Sequence, residues 1–169
     1  MAILDSGNRR EFDTGAVRDI AEGKGRCDLL PLDIVADLYD NPDTIGILAH
    51  INEYVRRGDT TPILYAIHWF IETLDLDLET VLLEVAKHYE DGANKYSERN
   101  WEKGIPLHCY IDSGVRHYLK YLRGDKDERH DRAFLWNLLC ALWTHKHRPE
   151  CIDLPFNEGE NDEKIETAL

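Results

Sequence analysis

The chain has 169 residues, 43% of them hydrophobic, and its 33 Asp and Glu outnumber 20 Lys and Arg to leave a formal net charge of −13. That length suits one compact domain with a tail, and the acidic balance excludes a long polyanion such as DNA or RNA as the main partner. No apolar run reaches membrane-spanning length, the opening MAILDSGNRREFD lacks a signal-like apolar block, and Cys27, Cys109, Cys140 and Cys151 lie far apart without C-x-x-C pairing. A reduced, cytoplasmic setting is expected.

Residues 1–30 carry Gly7, Gly15, Gly23 and Gly25, many charges and no apolar period, which predicts an extended arm lying over a domain or ordered by a ligand. From Leu30 to Ala141 the apolar spacing is helical. A short helix is expected near 31–39, then helices near 44–57, 61–74 and 78–98. Asn41-Pro42-Asp43 and Arg57-Gly58-Asp59 supply breaks, with Asp43 and Asp59 as N-caps. Two more helices are expected near 107–123, opened by Pro106, and near 127–146. Beyond Arg148 the acidic stretch DLPFNEGENDEKIETAL reads as a mobile tail. The expected fold is all-α, a bundle of five to six helices in one domain over residues 1–147, followed by the tail at 148–169.

Half of the bases, ten, fall between Lys87 and Arg132 beside nine acids. A small anion is therefore accommodated there, while a long one is repelled by the rest of the chain. Within that region KYSERNWEKGIP is too charged for core and too aromatic for a plain linker. Tyr96 and Trp101 are either packing anchors or platforms for a base, with Lys95, Arg99 and Lys103 near for phosphates and Asn100 for an amide-type contact.

On the expected helix 107–123, Ile111, Val115, Tyr118, Leu119 and Leu122 share an aliphatic face, while Tyr110, His117 and Tyr121 share a second. Two covered faces leave Asp112, Arg116 and Lys120, stacked at i, i+4 and i+8, pointing into a cleft or an interface. The second face also motivates a homo-oligomer. The last helix is apolar around nearly its whole circumference, yet His130 and Asn137 lie on one side with Ala133 and Ala141. Buried polar groups beside small residues predict a space. Asp112 with Arg116 is either a simple i,i+4 ion pair or a metal ligand beside a phosphate clamp. His117 and His130 are either satisfied core histidines or groups that orient water or bind phosphate.

Three stretches carry a family resemblance: TGAVRDIAEGKGRCDLLPL, YEDGANKYSERNWEKGIPL and YIDSGVRHYLKYLRGDKDERHDRAFLWNLLCAL. They resemble the phage and prophage dATP/dGTP diphosphohydrolase-type domain, which includes MazZ-like enzymes and is distantly similar to the all-α MazG pyrophosphatases. The resemblance covers about 14–40 and 83–143, with 41–80 as a helical insertion. It implies a MazG-like bundle that hydrolyses dGTP or dATP to the monophosphate and pyrophosphate with Mg²⁺ or Mn²⁺. By position it implies a DLLP-block role for Asp28 and catalytic roles for Asp112, His117 and His130. By position it also assigns Tyr96, Asn100, Trp101, Lys103, Arg116 and Asn137 to substrate binding; the need to neutralise phosphates adds Lys95 and Lys120 and a divalent ion shared by Asp112 and acids at Asp127, Glu128 or Asp131. The expected partners are a purine deoxynucleotide and further copies of the chain, with no membrane, DNA or RNA, in the host cytoplasm if phage-encoded.

Two departures keep a second reading open. The paired E-x-x-E and E-x-x-D motifs of the MazG enzymes do not stand at the expected helices of this chain, and Ala133 stands where many relatives carry a second His. A non-catalytic protein that binds a nucleotide or sequesters a nucleotide signal is the alternative.

Overall fold

The computed structural model describes residues 7–155, and within them the chain is helical apart from one small hairpin. It divides into two compact units: the N-terminal arm through Leu29 with Leu76–Ile152, and the segment Leu30–Asp75. The second unit overlaps most of the stretch expected as an insertion, 41–80.

The Leu30–Asp75 unit contains α1 (Leu32–Ala36), α2 (Pro42–Arg57) and α3 (Thr60–Thr73). Helix α2 starts two residues before the expected 44, because Pro42 opens it and Asn41, not Asp43, caps it by accepting the Thr44 N–H at 3.0 Å. Asp59 caps α3, as expected, by accepting the Thr61 N–H at 2.9 Å. Ile47, Leu48, Ile51 and Tyr54 of α2 and Ile63, Ala66 and Phe70 of α3 are buried at i, i+3, i+4 spacings, and the two helices pack together. Gly46 lets Trp69 lie on α2: a Cβ there would sit 1.7 Å from the indole ring.

The other unit opens with a hairpin, β1 (Arg9–Glu11) antiparallel to β2 (Val17–Asp19), registered through the Arg10–Arg18 pair. The arm is therefore folded rather than simply extended. Helix α4 (Leu78–Lys95) is capped by Asp77, which accepts the Thr80 N–H at 2.8 Å, and stops short of the expected 98. A 3-10 turn over Asn100–Lys103 leads to α5 (Leu107–Arg123), which ends where Gly124 turns left-handed at φ 83°. Helix α6 (His130–His147) starts three residues later than expected, after a loop that takes up Asp127 and Glu128.

Helices α5 and α6 form the centre of this unit. Ile111, Val115 and Tyr118 bury against Phe134, Leu138 and Ala141, with the Tyr118 and Phe134 rings stacked 4.9 Å apart. Leu122, placed on the same aliphatic face by its spacing, is exposed at the helix end. The unit runs past 147: Arg148 donates to the Glu102 carbonyl at 3.2 Å and Cys151, in a 3-10 turn over Pro149–Cys151, is buried. The tail expected at 148–169 thus loses its first residues to the fold, and residues 156–169 lie outside the described chain. No helix among the described residues is long and apolar enough to cross a membrane.

Candidate functional site

A cavity of about 770 Å³ opens between the hairpin, the end of α4 with the loop after it, and α5 and α6. Its floor comes from Asp112, Arg116, His117 and Lys120 on one helix and Trp136 and Asn137 on the next. The i, i+4, i+8 stack read from the sequence therefore does point into a hollow. The second face of α5 is covered from within the chain, since Tyr110 is fully buried against Trp136, so it supplies no argument for a subunit contact.

The hairpin is placed by side chains, not by a long ladder. Asn100 copies a strand edge: its Oδ1 accepts the Val17 N–H at 2.9 Å and its Nδ2 donates to the Val17 carbonyl at 2.8 Å. Lys95 donates to Asp19 at 2.7 Å, and Tyr96 donates its hydroxyl to the same carboxylate at 3.1 Å. Burial, then that carboxylate, pushes the Tyr96 phenol up to about 12. Trp101 stands edge-on to Trp143 with ring centres 4.9 Å apart. The loop assigned to a nucleotide thus grips the arm first, with both polar atoms of Asn100 already bonded to Val17. Lys103 lies outside the cavity, exposed, with its Nζ 3.4 Å from the Ser97 hydroxyl.

Held this way, β2 sends Arg18 into the cavity. One guanidinium nitrogen, Nη2, donates to Asn137 Oδ1 at 3.1 Å, and the amide is fixed because its Nδ2 donates to the Ala133 carbonyl at 2.7 Å. The guanidinium lies over the rings of Tyr110 and Trp136 at 5.2 and 5.8 Å. Its other nitrogen, Nη1, is buried with no acceptor, and so is the indole Nε1 of Trp136. A buried donor left unmet costs about 1–3 kcal/mol; both side chains belong to the cavity wall, with the unmet nitrogens themselves turned away from its open space.

Further along the arm, Cys27 donates its backbone N–H to Asp112 at 2.7 Å, and Arg116 donates to the Gly25 carbonyl at 2.9 Å while pairing with Asp112. Asp112 and Arg116 are therefore both an i,i+4 ion pair and the clamp for the arm. Asp28 pairs with Arg26 and does not line the cavity.

The four acids expected to share a metal do not meet. Asp112 sits in that clamp. Asp127 accepts from Lys120 at 3.0 Å and from His130, Asp131 pairs with Arg129, and only Glu128 lies with Asp112 on the cavity wall. Mg²⁺ or Mn²⁺ held by this carboxylate set does not fit the arrangement. His130 does not line the cavity but stands behind it, its Nδ1 3.0 Å from His117 Nδ1. Glu128 approaches His117 Nδ1 at 3.1 Å. Burial, and then His130, holds the His117 pKa well below the usual histidine range.

Seven Arg or Lys and five Asp or Glu line the cavity, an excess of positive charge inside a chain whose net charge is −13. Residues 71–153 match the family model described as dATP/dGTP diphosphohydrolase, N-terminal. Over that segment the chain is similar to the dATP/dGTP diphosphohydrolase family. The match runs from the end of α3 through α4, α5 and α6, and so takes in the cavity floor. No curated protein and no solved structure matches the chain.

Sequence reasoning about single residues missed Arg18, Lys24, His88 and Trp136, all on the wall of the cavity. The signal was present for two of them, because Arg18 and Lys24 lie in the TGAVRDIAEGKGRCDLLPL block that carries the resemblance. His88 and Trp136 read as ordinary members of helical faces.

His88 makes a pH prediction. Burial, then Arg132 and Arg18, lowers its pKa from 6.5 to about 4. It is neutral in the folded chain, while the unfolded chain takes up a proton as the pH falls through 6.5. Stability therefore drops between about pH 6.5 and 4, by about 3 kcal/mol for this group. His117 adds in the same direction. Denaturant titrations across that range will show the fall, and His88→Gln will flatten it.

Proposed function

We propose that the chain hydrolyses purine deoxynucleoside triphosphates, dGTP or dATP, to the monophosphate and pyrophosphate. The observation that carries the reading is Arg18: a guanidinium brought to the wall of a cavity of nucleotide size, beside Lys24, Lys95, Arg116 and Lys120 on the same walls. Phosphate oxygens are the acceptors that such a donor fork suits.

In this reading the cations lie along the polyphosphate and offset its charge, which develops further as pyrophosphate leaves. Aromatic surface at Tyr96, Trp101 and Trp136 receives the purine. His117, neutral at pH 7, and Glu128 hold the attacking water on the wall. Its oxygen joins the α-phosphorus, the bond from that phosphorus to the bridging oxygen breaks, and the water proton passes to the held base. Fixed geometry, rather than covalent chemistry, does most of such work.

One observation favours a second reading, that of a nucleotide binder without turnover: the four acids expected to act together are dispersed, and Asp112 is held in the arm clamp. Separating the products formed from dGTP and dATP in the presence of Mn²⁺ or Zn²⁺ distinguishes the two. Monophosphate with pyrophosphate is expected. Unaltered triphosphate with a raised melting temperature would replace hydrolysis by binding, and neither effect would contradict both.

A further inference from the structure

We propose that His117, Glu128 and His130 form a site for one divalent transition ion of the class that favours imidazole, such as Zn²⁺ or Co²⁺, opening onto the cavity. The inference deepens the hydrolytic reading and rests on it only for what the ion would face.

Three donor atoms converge. His117 Nδ1 lies 3.0 Å from His130 Nδ1 and 3.1 Å from Glu128 Oε1, and the third side of the triangle is 3.8 Å. An ion equidistant from three atoms so spaced stands about 2 Å from each, the ordinary distance from zinc to imidazole nitrogen or carboxylate oxygen.

The protonation pattern agrees. On its far side His130 places Nε2 2.7 Å from Asp127 Oδ1. An ionised carboxylate only accepts, so neutral His130 keeps its proton on Nε2 and turns the lone pair of Nδ1 toward the trio. A histidine anchored through its second nitrogen to a carboxylate is the usual setting of a metal-bound imidazole. Glu128 Oε1 is also an acceptor, so two lone-pair atoms face His117 Nδ1. A proton on that nitrogen serves one of them well; a cation serves all three.

Access and competition point the same way. His117 and Glu128 line the cavity and His130 closes the trio from behind, which leaves positions open on the cavity side, as catalytic sites do. A second grouping, Asp125, Asp127 and His130, is already occupied by cations of the chain: Arg123 holds Asp125 and Lys120 holds Asp127. Two imidazoles and one carboxylate select a borderline ion over Mg²⁺, which prefers oxygen. When bound, such an ion would take the His117 and Glu128 lone pairs that otherwise hold the water, and would itself supply a water acidified toward neutrality.

The test is a Co²⁺ titration of the chelator-treated full chain, followed by visible absorption. One Co²⁺ per chain is expected, displaced by one Zn²⁺ and not by millimolar Mg²⁺. Glu128→Gln and His117→Ala, checked for folding by circular dichroism, should each weaken binding at least about tenfold, and Asp127→Asn about tenfold through its hold on His130. His130 is too deeply buried for its own variant to be informative. Absence of saturable Co²⁺ uptake, equal binding by both ligand variants, or displacement by Mg²⁺ would overturn the site. Because the readout is spectroscopic, Co²⁺ binding that depends on Glu128 without hydrolysis would leave the site standing and remove the enzymatic reading alone.

Discussion

An Arg18→Ala chain will fold with a stability within about 1 kcal/mol of the parent and bind purine nucleotides roughly ten- to a hundredfold more weakly. Both halves follow from the same guanidinium. In the free protein Arg18 Nη1 is buried without an acceptor while Nη2 serves Asn137. Truncation removes an unmet donor, which is favourable, and leaves Asn137 Oδ1 without its partner, which is unfavourable by a similar amount. With a phosphate present the balance changes, since a hydrogen bond to a charged group contributes about 1.5–3 kcal/mol. Thermal denaturation without ligand and calorimetry with ligand measure the two halves separately. A large loss of stability with unchanged affinity would make Arg18 a structural residue.

Asp112→Ala will be the most destabilising substitution at the site, by about 3 kcal/mol or more. The carboxylate is 7% exposed and its partner Arg116 17%, so truncation leaves a largely buried guanidinium unpaired. It also removes the acceptor for the Cys27 N–H, 85 positions away in the chain. The arm should then loosen around Lys24–Cys27 while α5 persists. Denaturant unfolding gives the magnitude, and hydrogen exchange at Cys27 reports the arm. Asp112→Asn keeps an acceptor for Cys27 without the charge and should fall between the two. If Cys27 stays as protected in Asp112→Ala as in the parent, the clamp is not what holds the arm.

What the sequence made legible is local. Helix α5 begins and ends where its spacing and flanking Pro106 and Gly124 say it should. The inward row Asp112, Arg116, Lys120 was readable because residues four apart share a helix face. The hairpin was not readable, because each strand is three residues long and has no alternation to detect. It exists through Asn100, Lys95 and Tyr96, which reach it from 76 to 83 positions away. Arg18 meets Asn137 across 119 positions, and no spacing rule links them. The acids around the start of α6 looked like one ligand set because they are adjacent. In three dimensions Asp127 turns to Lys120, Glu128 to His117 and Asp131 to Arg129, since a loop and a first helical turn aim neighbouring side chains in different directions. The same loop brings Glu128 to two histidines on different helices, a grouping that counting residues does not reveal.

In the proposed function the cavity under the arm holds a purine deoxynucleoside triphosphate. Titration calorimetry with an α,β-methylene analogue of dGTP or dATP, which cannot be cleaved at that bond, tests it without depending on turnover. One analogue per chain is predicted, with affinity sharply reduced by Arg18→Ala. No saturable heat with either analogue, or binding that Arg18→Ala leaves intact, would contradict it.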